Sequence, residues 1–373
     1  KIKTFTVAFG TGISSRGKRY FDELAKAGGT NNAIVAQTAE SLKTQLKAAI
    51  SQIIAQKLSF TAPAITATIE EGGSLYQAKF DYQQNKEWSG TITRTKVKPD
   101  GSLDTKDAGN WSAEDVVPSP SNRKIWSVIP GTDYKTDYNN FKESNSTAIG
   151  NLMNIFGNDV LDYHRVSDNS DGSTNNKACG TKAKGLSFSI ADGVTDDTKG
   201  LINFVRGTDY FDYDADCDLG ETRKRPLGDI YHSQLVVIGA PSADTAFVGS
   251  NQESYWRNIN NYSGWAKSKE NRQEVLYAGS NSGILHAFDA KTGKEIWGFV
   301  PPLIAPKLPL VMNSNLNQIS KSLRSGGTNA IFGVDGSIVV HDMYFKSPLD
   351  STKKWHTILF VPYGRGGAGF SVL

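Results

Sequence analysis

Apolar and polar residues change their spacing twice along this chain. Ile2 to Phe9 alternates, the period of a strand with one buried face, and the run ends at Gly10 and Gly12. Lys18 to Ala27 predicts a short helix stopped by Gly28 and Gly29. Thr38 can cap a second helix, Glu40 suits its first turn, and Leu42, Leu46, Ala49, Ile50, Ile53 and Ile54 form one apolar stripe. Strand, helix, short strand, helix is how a doubly wound α/β domain ends, and its other strands are expected upstream of Lys1.

After Pro63 the period shortens to that of strands. Ala64 to Ile69, Leu75 to Asp81, Ser89 to Lys96 and Arg123 to Ile129 are predicted strands separated by polar turns carrying Gly or Pro. A helix is expected around Ile149 to Leu161. A polar loop follows from Ser167 to Lys184, and then a second helix with Asp196 and Asp197 at its start and Leu201, Ile202, Phe204 and Val205 as its apolar face. Beyond Pro226 the pattern reads as strand throughout: Gln234–Ile238, Val275–Gly279, Ile284–Asp289, Glu295–Val300, Ala330–Val334, Ser337–Phe345 and Trp355–Val361. Short antiparallel strands recurring in groups of three or four describe propeller blades. The fold class is therefore mainly β with α+β parts. Residues 1–60 close an α/β domain, 61–225 form a β-rich connector with some helix, and 226–373 supply the first blades of an incomplete β-propeller.

Composition narrows the function. With 373 residues and 38% hydrophobic content the chain can build two or three cores. A formal net charge of +3 without a dense Lys/Arg block gives no footprint for nucleic acid. No apolar run approaches the roughly 20 residues of a membrane helix, so no membrane span is expected. The two cysteines, Cys179 and Cys217, are too far apart for a CxxC metal or redox motif. The histidines show no HxxxH or HExxH spacing, and no GxSxG is present, so hydrolase and metalloprotease chemistry lack support.

The most specific segment is Tyr277-Ala-Gly-Ser-Asn-Ser-Gly-Ile-Leu-His-Ala-Phe-Asp-Ala-Lys-Thr-Gly-Lys-Glu-Ile-Trp297. It reads as strand, tight turn, strand, tight turn, strand. Asp289 can accept backbone N–H bonds from the Thr292-Gly293 turn, Gly293 can take positive φ, and Trp297 offers a large face to a neighbouring blade. These structural roles account for the segment without a catalytic role for Asp289 or His286. Gly364-Arg-Gly-Gly-Ala-Gly369 matches GxGxxG, but strand-like Phe370-Ser-Val-Leu373 follows instead of a helix. A hairpin turn is expected there, and no organic cofactor.

One acidic run invites a metal. Asp212, Asp214 and Asp216 occupy the first three ligand positions of an EF-hand-like loop, with Asp218 and Glu221 close behind. Cys217 stands where the loop wants glycine, and Arg223 stands at the twelfth position, so the full motif fails. Two readings remain: a looser calcium loop, or a solvated acidic loop.

The 277–297 segment resembles the first blade of the PilY/PilC family of type IV pilus tip and assembly proteins. Leu227-Gly-Asp-Ile-Tyr-His-Ser233 with Val236-Val-Ile-Gly239 resembles that family's entry into its propeller, and Leu201-Ile-Asn-Phe-Val-Arg-Gly207 the stretch before it. Thr4-Phe-Thr-Val-Ala-Phe-Gly10 and the Ala27 to Ile54 stretch resemble the end of its von Willebrand A-like domain, and Leu75-Tyr-Gln-Ala-Lys-Phe80 with Trp88-Ser-Gly90 its first connector. The resemblance implies a non-enzymatic, exported protein at a pilus tip, cell surface or outer membrane, acting in pilus biogenesis and adhesion through minor pilins, the tip complex, and host or abiotic surfaces. An oxidising compartment in turn implies a Cys179–Cys217 disulfide. The blade motif also looks like that of pyrroloquinoline quinone dehydrogenases, the alternative reading, but those enzymes carry adjacent cysteines that this chain lacks. A propeller scaffold of the outer-membrane assembly type would explain the blade and not the first 225 residues.

Overall fold

The structure, a computed structural model, describes residues 4–54, 64–65, 73–82, 87–132, 138–155, 185, 194–210, 216–246, 252–311 and 329–373. The chain divides into two compact units, Lys1–Leu58 and Ser59–Leu373.

In the first unit β1 (Val7–Phe9) and β2 (Ile34–Ala36) pair in parallel, with Val7 opposite Ile34, and α1 (Ser15–Ala27) makes the crossover. α1 starts before the predicted Lys18, because Ser14 Oγ accepts the Gly17 N–H at 3.1 Å and caps it. α2 (Ala39–Ile54) follows, and Thr38 Oγ1 accepts from Ser41 N at 3.2 Å. Ala8, Ala25 and Ala36 are buried between these elements. The side chains of the stripe from Ala49 to Ile54 lie outside the described residues.

Among the described residues, the second unit holds three sheets. The first runs β3 (Ala64–Ile65), β4 (Ser74–Asp81), β5 (Ser89–Val97), β6 (Leu103–Asp104), and β7 (Trp111–Ser112) also pairs with β5 ahead of the single turn α3 (Ala113–Val116). β4 buries Tyr76, Ala78 and Phe80 on one face, the alternation its sequence predicts. Residues after this sheet contribute β8 (Ile125–Trp126), α4 (Ser146–Leu152) and α5 (Val194–Arg206). Leu201, Ile202, Phe204 and Val205 of α5 pack with Phe141, Ile149 and Met153. Residues 156–184 of the expected helix and loop lie outside the described set.

After β9 (Leu227–Gly228) a meander forms from β10 (Val236–Ile238), β11 (Val275–Gly279), β12 (Leu285–Asp289) and β13 (Glu295–Phe299), each antiparallel to the last. The third sheet is β14 (Val339–Phe345), β15 (Lys354–Pro362) and β16 (Phe370–Val372). Gly364–Gly366 forms a short 3-10 turn between antiparallel β15 and β16, so the GxGxxG stretch is a hairpin connection and not a phosphate loop.

Three sequence expectations are corrected. The stretch beyond Pro226 is not all strand: α6 (Gln252–Ile259) and α7 (Tyr262–Ser268) are inserted between β10 and β11. Their few apolar residues are spaced for a partly exposed helix, not for a strand. Ala330–Val334 is irregular, although Val334 is buried. The third concerns β8: read as a connector strand, it pairs in parallel with β13 and becomes the edge of the meander sheet, Ile125 opposite Gly298. Reciprocally β9, at the expected entry of the propeller, pairs with β5 of the connector sheet. Pairing between segments so distant in sequence leaves no local signature.

Candidate functional site

The two exchanged strands meet along one seam, and buried polar side chains close it. Arg123, just before β8, holds Glu295 of β13 through two bonds, Nε to Oε2 at 2.6 Å and Nη2 to Oε1 at 2.8 Å, and both side chains are fully buried. Arg123 Nη1 also donates to the carbonyl of Arg206, at 2.8 Å, and Arg206 Nη2 donates back to the carbonyl of Arg123, at 2.6 Å. Burial and the neighbouring Arg123 charge lower Arg206 to about 10. Burial alone would raise Glu295; the charge and bonds of Arg123, with a bond from His286, instead hold it well below the usual carboxylate range.

His286 Nδ1 lies 2.7 Å from Glu295 Oε1, and its Nε2 lies 3.0 Å from Ser280 Oγ, which lies 2.7 Å from Ser282 Oγ. Serine, imidazole and carboxylate thus stand in the order of a hydrolase triad. Ser280 and His286 are both 0% exposed, so no substrate carbonyl can approach the hydroxyl. Burial lowers the His286 pKa, and a neutral ring that donates to Glu295 accepts from Ser280. The row satisfies buried polar groups of the sheet.

A second cluster grows from Leu227-Gly-Asp-Ile-Tyr-His-Ser233. Asp229 N donates to the carbonyl of Trp88 in the connector, at 3.1 Å, and its own carbonyl accepts from Asn281 N, at 2.8 Å. Asn281 Nδ2 donates to Asp229 Oδ2 at 2.7 Å, and Asn281 Oδ1 accepts from Gly333 N at 3.2 Å, beside the third sheet. Burial, together with the Glu87 and Asp335 carboxylates, raises Asp229 to about 7 against the bond from Asn281. His232 bonds Asp335 through Nδ1 at 2.6 Å, and Ser233 Oγ accepts from Gly279 N at 3.0 Å. Nearby, Arg223 pairs with buried Glu87 at 3.0 Å and stacks 3.8 Å above the ring of Phe204.

The turn of the blade motif is a third anchor. Thr292 N and Oγ1 donate to Asp289 Oδ1 at 2.6 and 2.9 Å, and Gly293 has φ +74. Partial burial pushes Asp289 up, but the Thr292 bonds and the Gln273 amide outweigh it and lower its pKa. The carbonyl of Ala290 accepts from Tyr76 OH at 3.0 Å and from Trp111 Nε1 at 3.2 Å, both in the connector sheet. Trp297 does not face the third sheet alone. Its ring stands 6.2 Å from Trp126 of β8 and 5.9 Å from Tyr277 of β11.

In the acidic loop, Asp212 and Asp214 lie outside the described residues, as does Cys179. Asp216 Oδ1 accepts from Asp218 N at 2.7 Å, and Glu221 contributes its carbonyl to Asp209 N at 2.8 Å. Cys217 adopts φ +68, the left-handed conformation for which such a loop normally uses glycine. Among the described residues no group of three or more His, Cys, Asp or Glu is placed to hold a metal ion. The residues that seal the seam, Arg123, Asp229, His286, Asn281, Glu295 and Asp335, escape sequence reasoning. Asp229, Asn281, His286 and Glu295 fall in segments that the family resemblance singled out; Arg123 and Asp335 do not.

Mixed α/β content, with three sheets in the second unit among the described residues and a seam of buried ion pairs, defines a β-rich assembly. Residues 227–373 match the family described as the PilY1 beta-propeller domain. The chain is 26% identical over 348 residues, 91% of its length, to the type IV pilus biogenesis factor PilY1 of Pseudomonas aeruginosa strain UCBPP-PA14. It is 34% identical over 176 residues, 46% of its length, to a type IV pilus biogenesis factor PilY1 homolog of Xylella fastidiosa. The chain spans 25% of the first relative and 12% of the second. No solved structure matches it. The resemblance to the PilY family is thus borne out, and the quinone dehydrogenase alternative is not favoured. No helix among the described residues is long and apolar enough to cross a membrane.

Proposed function

We propose that this chain is the joint of a type IV pilus biogenesis factor, a non-enzymatic part that fixes the start of a β-propeller rigidly to the connector before it. The observation that carries this reading is the reciprocal strand exchange, β8 into the meander sheet and β9 into the connector sheet, locked by the buried Arg123–Glu295 pair. Neither module can swing on a hinge without breaking the other's sheet, which suits a protein under tension at a filament tip. On this reading the meander sheet and the third sheet are the first two blades of an incomplete propeller, since closure takes four to eight. The βαβα unit is the end of a von Willebrand A-like domain.

The same reading places the protein outside the cytoplasm, at the pilus tip or cell surface, with minor pilins and host or abiotic surfaces as its contacts. It gives residues 212–221 a weak calcium site with Asp212, Asp214, Asp216 and either Asp218 or Glu221 as oxygen ligands. The left-handed backbone at Cys217 supports this, because it supplies the turn that glycine would otherwise provide. A calorimetric titration should show calcium-dependent heat that Asp214→Ala removes; no heat in the parent chain would sink the site.

The function itself is tested by deletion and complementation in a piliated bacterium that carries the gene. Loss of the gene should reduce surface pili and twitching motility. The parent gene should restore both, and one carrying Arg123→Met should restore them poorly. Undiminished piliation in the deletion strain would overturn the reading.

A further inference from the structure

The helical insertion between β10 and β11 is docked on the third sheet. Tyr262 OH donates to Asp342 Oδ2 at 2.5 Å, and Trp355 Nε1 donates to the carbonyl of Asn260 at 2.8 Å. The rings of Tyr262 and Trp355 stand edge-on, 4.9 Å apart. Docking leaves a cleft of about 630 Å³ between α6 and β14, walled by Tyr255, Trp256, Asp342, Met343, Tyr344 and Trp355. Trp256 and Met343 are 49% and 47% exposed. A second cleft, of about 800 Å³, continues along β10 and shares Arg257, His341 and Asp342 with the first.

Two properties of this groove specify an occupant. The first is an open strand edge. β14 pairs with β15 and with no other described strand. The four consecutive residues 341–344 all line the cleft, so both faces of β14, and hence the edge between them, border it. An unpaired edge offers alternating N–H and C=O groups that only another main chain can match. The second is charge. Asp342 accepts from two neutral hydroxyls, Tyr262 OH at 2.5 Å and Thr357 Oγ1 at 2.7 Å, and pairs with no cation among the described residues. Arg257, which lines the same cleft, is paired with Glu253 at 2.9 Å, and Arg272 reaches Asp342 only through Thr357 Oγ1, to which it donates at 2.7 Å. A carboxylate without a counter-ion in an aromatic-walled cleft complements a cation, which gains from the ring faces as well as from the charge.

We propose that this groove binds an extended polypeptide segment as an added strand on β14, with a lysine or arginine of the ligand held between the aromatic wall and the Asp342 carboxylate. The partner is a protein presenting a free, basic, strand-forming segment. This site goes beyond the joint described above and exists whether or not that joint bears load.

The test is a fluorescence anisotropy titration of the full 373-residue chain against a dye-labelled, blocked heptapeptide, Thr-Val-Thr-Lys-Thr-Val-Thr. Saturable binding is expected. Arginine in place of the lysine should preserve it, and glutamine should weaken it about fivefold, the size of an exposed cation–π contact. N-methylation of alternate peptide amides should abolish it. Trp256→Ala, at a half-exposed position where folding can be verified by circular dichroism, and Asp342→Asn should each reduce the lysine peptide towards the glutamine peptide. No binding, equal binding of the lysine and glutamine peptides, or lysine binding untouched by both variants would overturn the proposal. Equal affinity for Nα-acetyl-lysine methylamide alone would overturn the strand addition.

Discussion

Gly293 lies so close beneath the indole of Trp111 that a Cβ on it would stand 2.5 Å from Trp111 Cδ2. It also holds φ +74, so two independent constraints fall on one position of the blade motif. Gly101 has φ +80 with nothing within 4 Å of its would-be Cβ, and so carries the backbone constraint alone. Gly101→Ala should cost about 1 kcal/mol of stability. Gly293→Ala should cost clearly more, on the order of 3 kcal/mol, because the connector tryptophan must also move. Urea unfolding of the two variants makes the comparison. Equal losses would show that Trp111 is not held against the turn.

Arg123 and Glu295 form a buried pair, and such pairs are costly to break from one side. Arg123→Met should destabilise the second unit by about 3–5 kcal/mol, because Glu295 is left charged and without its partner. Adding Glu295→Gln should recover part of the loss, since the amide oxygen still accepts from His286 while the stranded charge is gone. A double variant less stable than Arg123→Met alone would contradict this account.

Asp229 gives stability a pH dependence of definite sign. Its folded pKa, about 7, is raised from the ordinary 3.8, so the folded state binds the proton more tightly than the unfolded chain. Its contribution is complete below the unfolded pKa, declines as pH rises, and is gone above about pH 7. A shift of this size is worth on the order of 4 kcal/mol at most. Asp229→Asn should therefore flatten the stability profile between pH 4 and 7, gaining on the parent as pH rises. Parallel profiles in thermal melts of the two proteins would refute it.

A Cys179–Cys217 disulfide is the expectation that tests the compartment. Gly185, six positions beyond Cys179 in sequence, packs against Asp218 and Gly220, close in sequence to Cys217. No described cysteine is a free thiol. Closing this loop should contribute roughly 4 kcal/mol. Thiol titration of unreduced protein should find no free groups, and reduction should lower the unfolding midpoint. Two titratable thiols would rule the bridge out.

The sequence alone determined what depends on short spans. The βαβα order of the first unit, the Thr38 cap, the alternating β4, the β11–β12–β13 meander and the Asp289–Gly293 turn all follow from periods of 2 or 3.6 and from turn chemistry within a few residues. Tertiary structure decided where β8 and β9 pair, and with them the seam between modules. Ile125 and Trp126 read as a strand in any sheet, and nothing local records that the partner is β13. The Arg123–Glu295 contact spans 172 positions, and each residue by itself reads as a solvated surface charge. The α6–β14 groove was hidden for the same reason. An open edge, an aromatic wall and a carboxylate without a counter-ion become one site only when an inserted helix pair is laid against a strand some 80 residues further along, and that docking is decided by packing between Tyr262, Trp355 and Asp342.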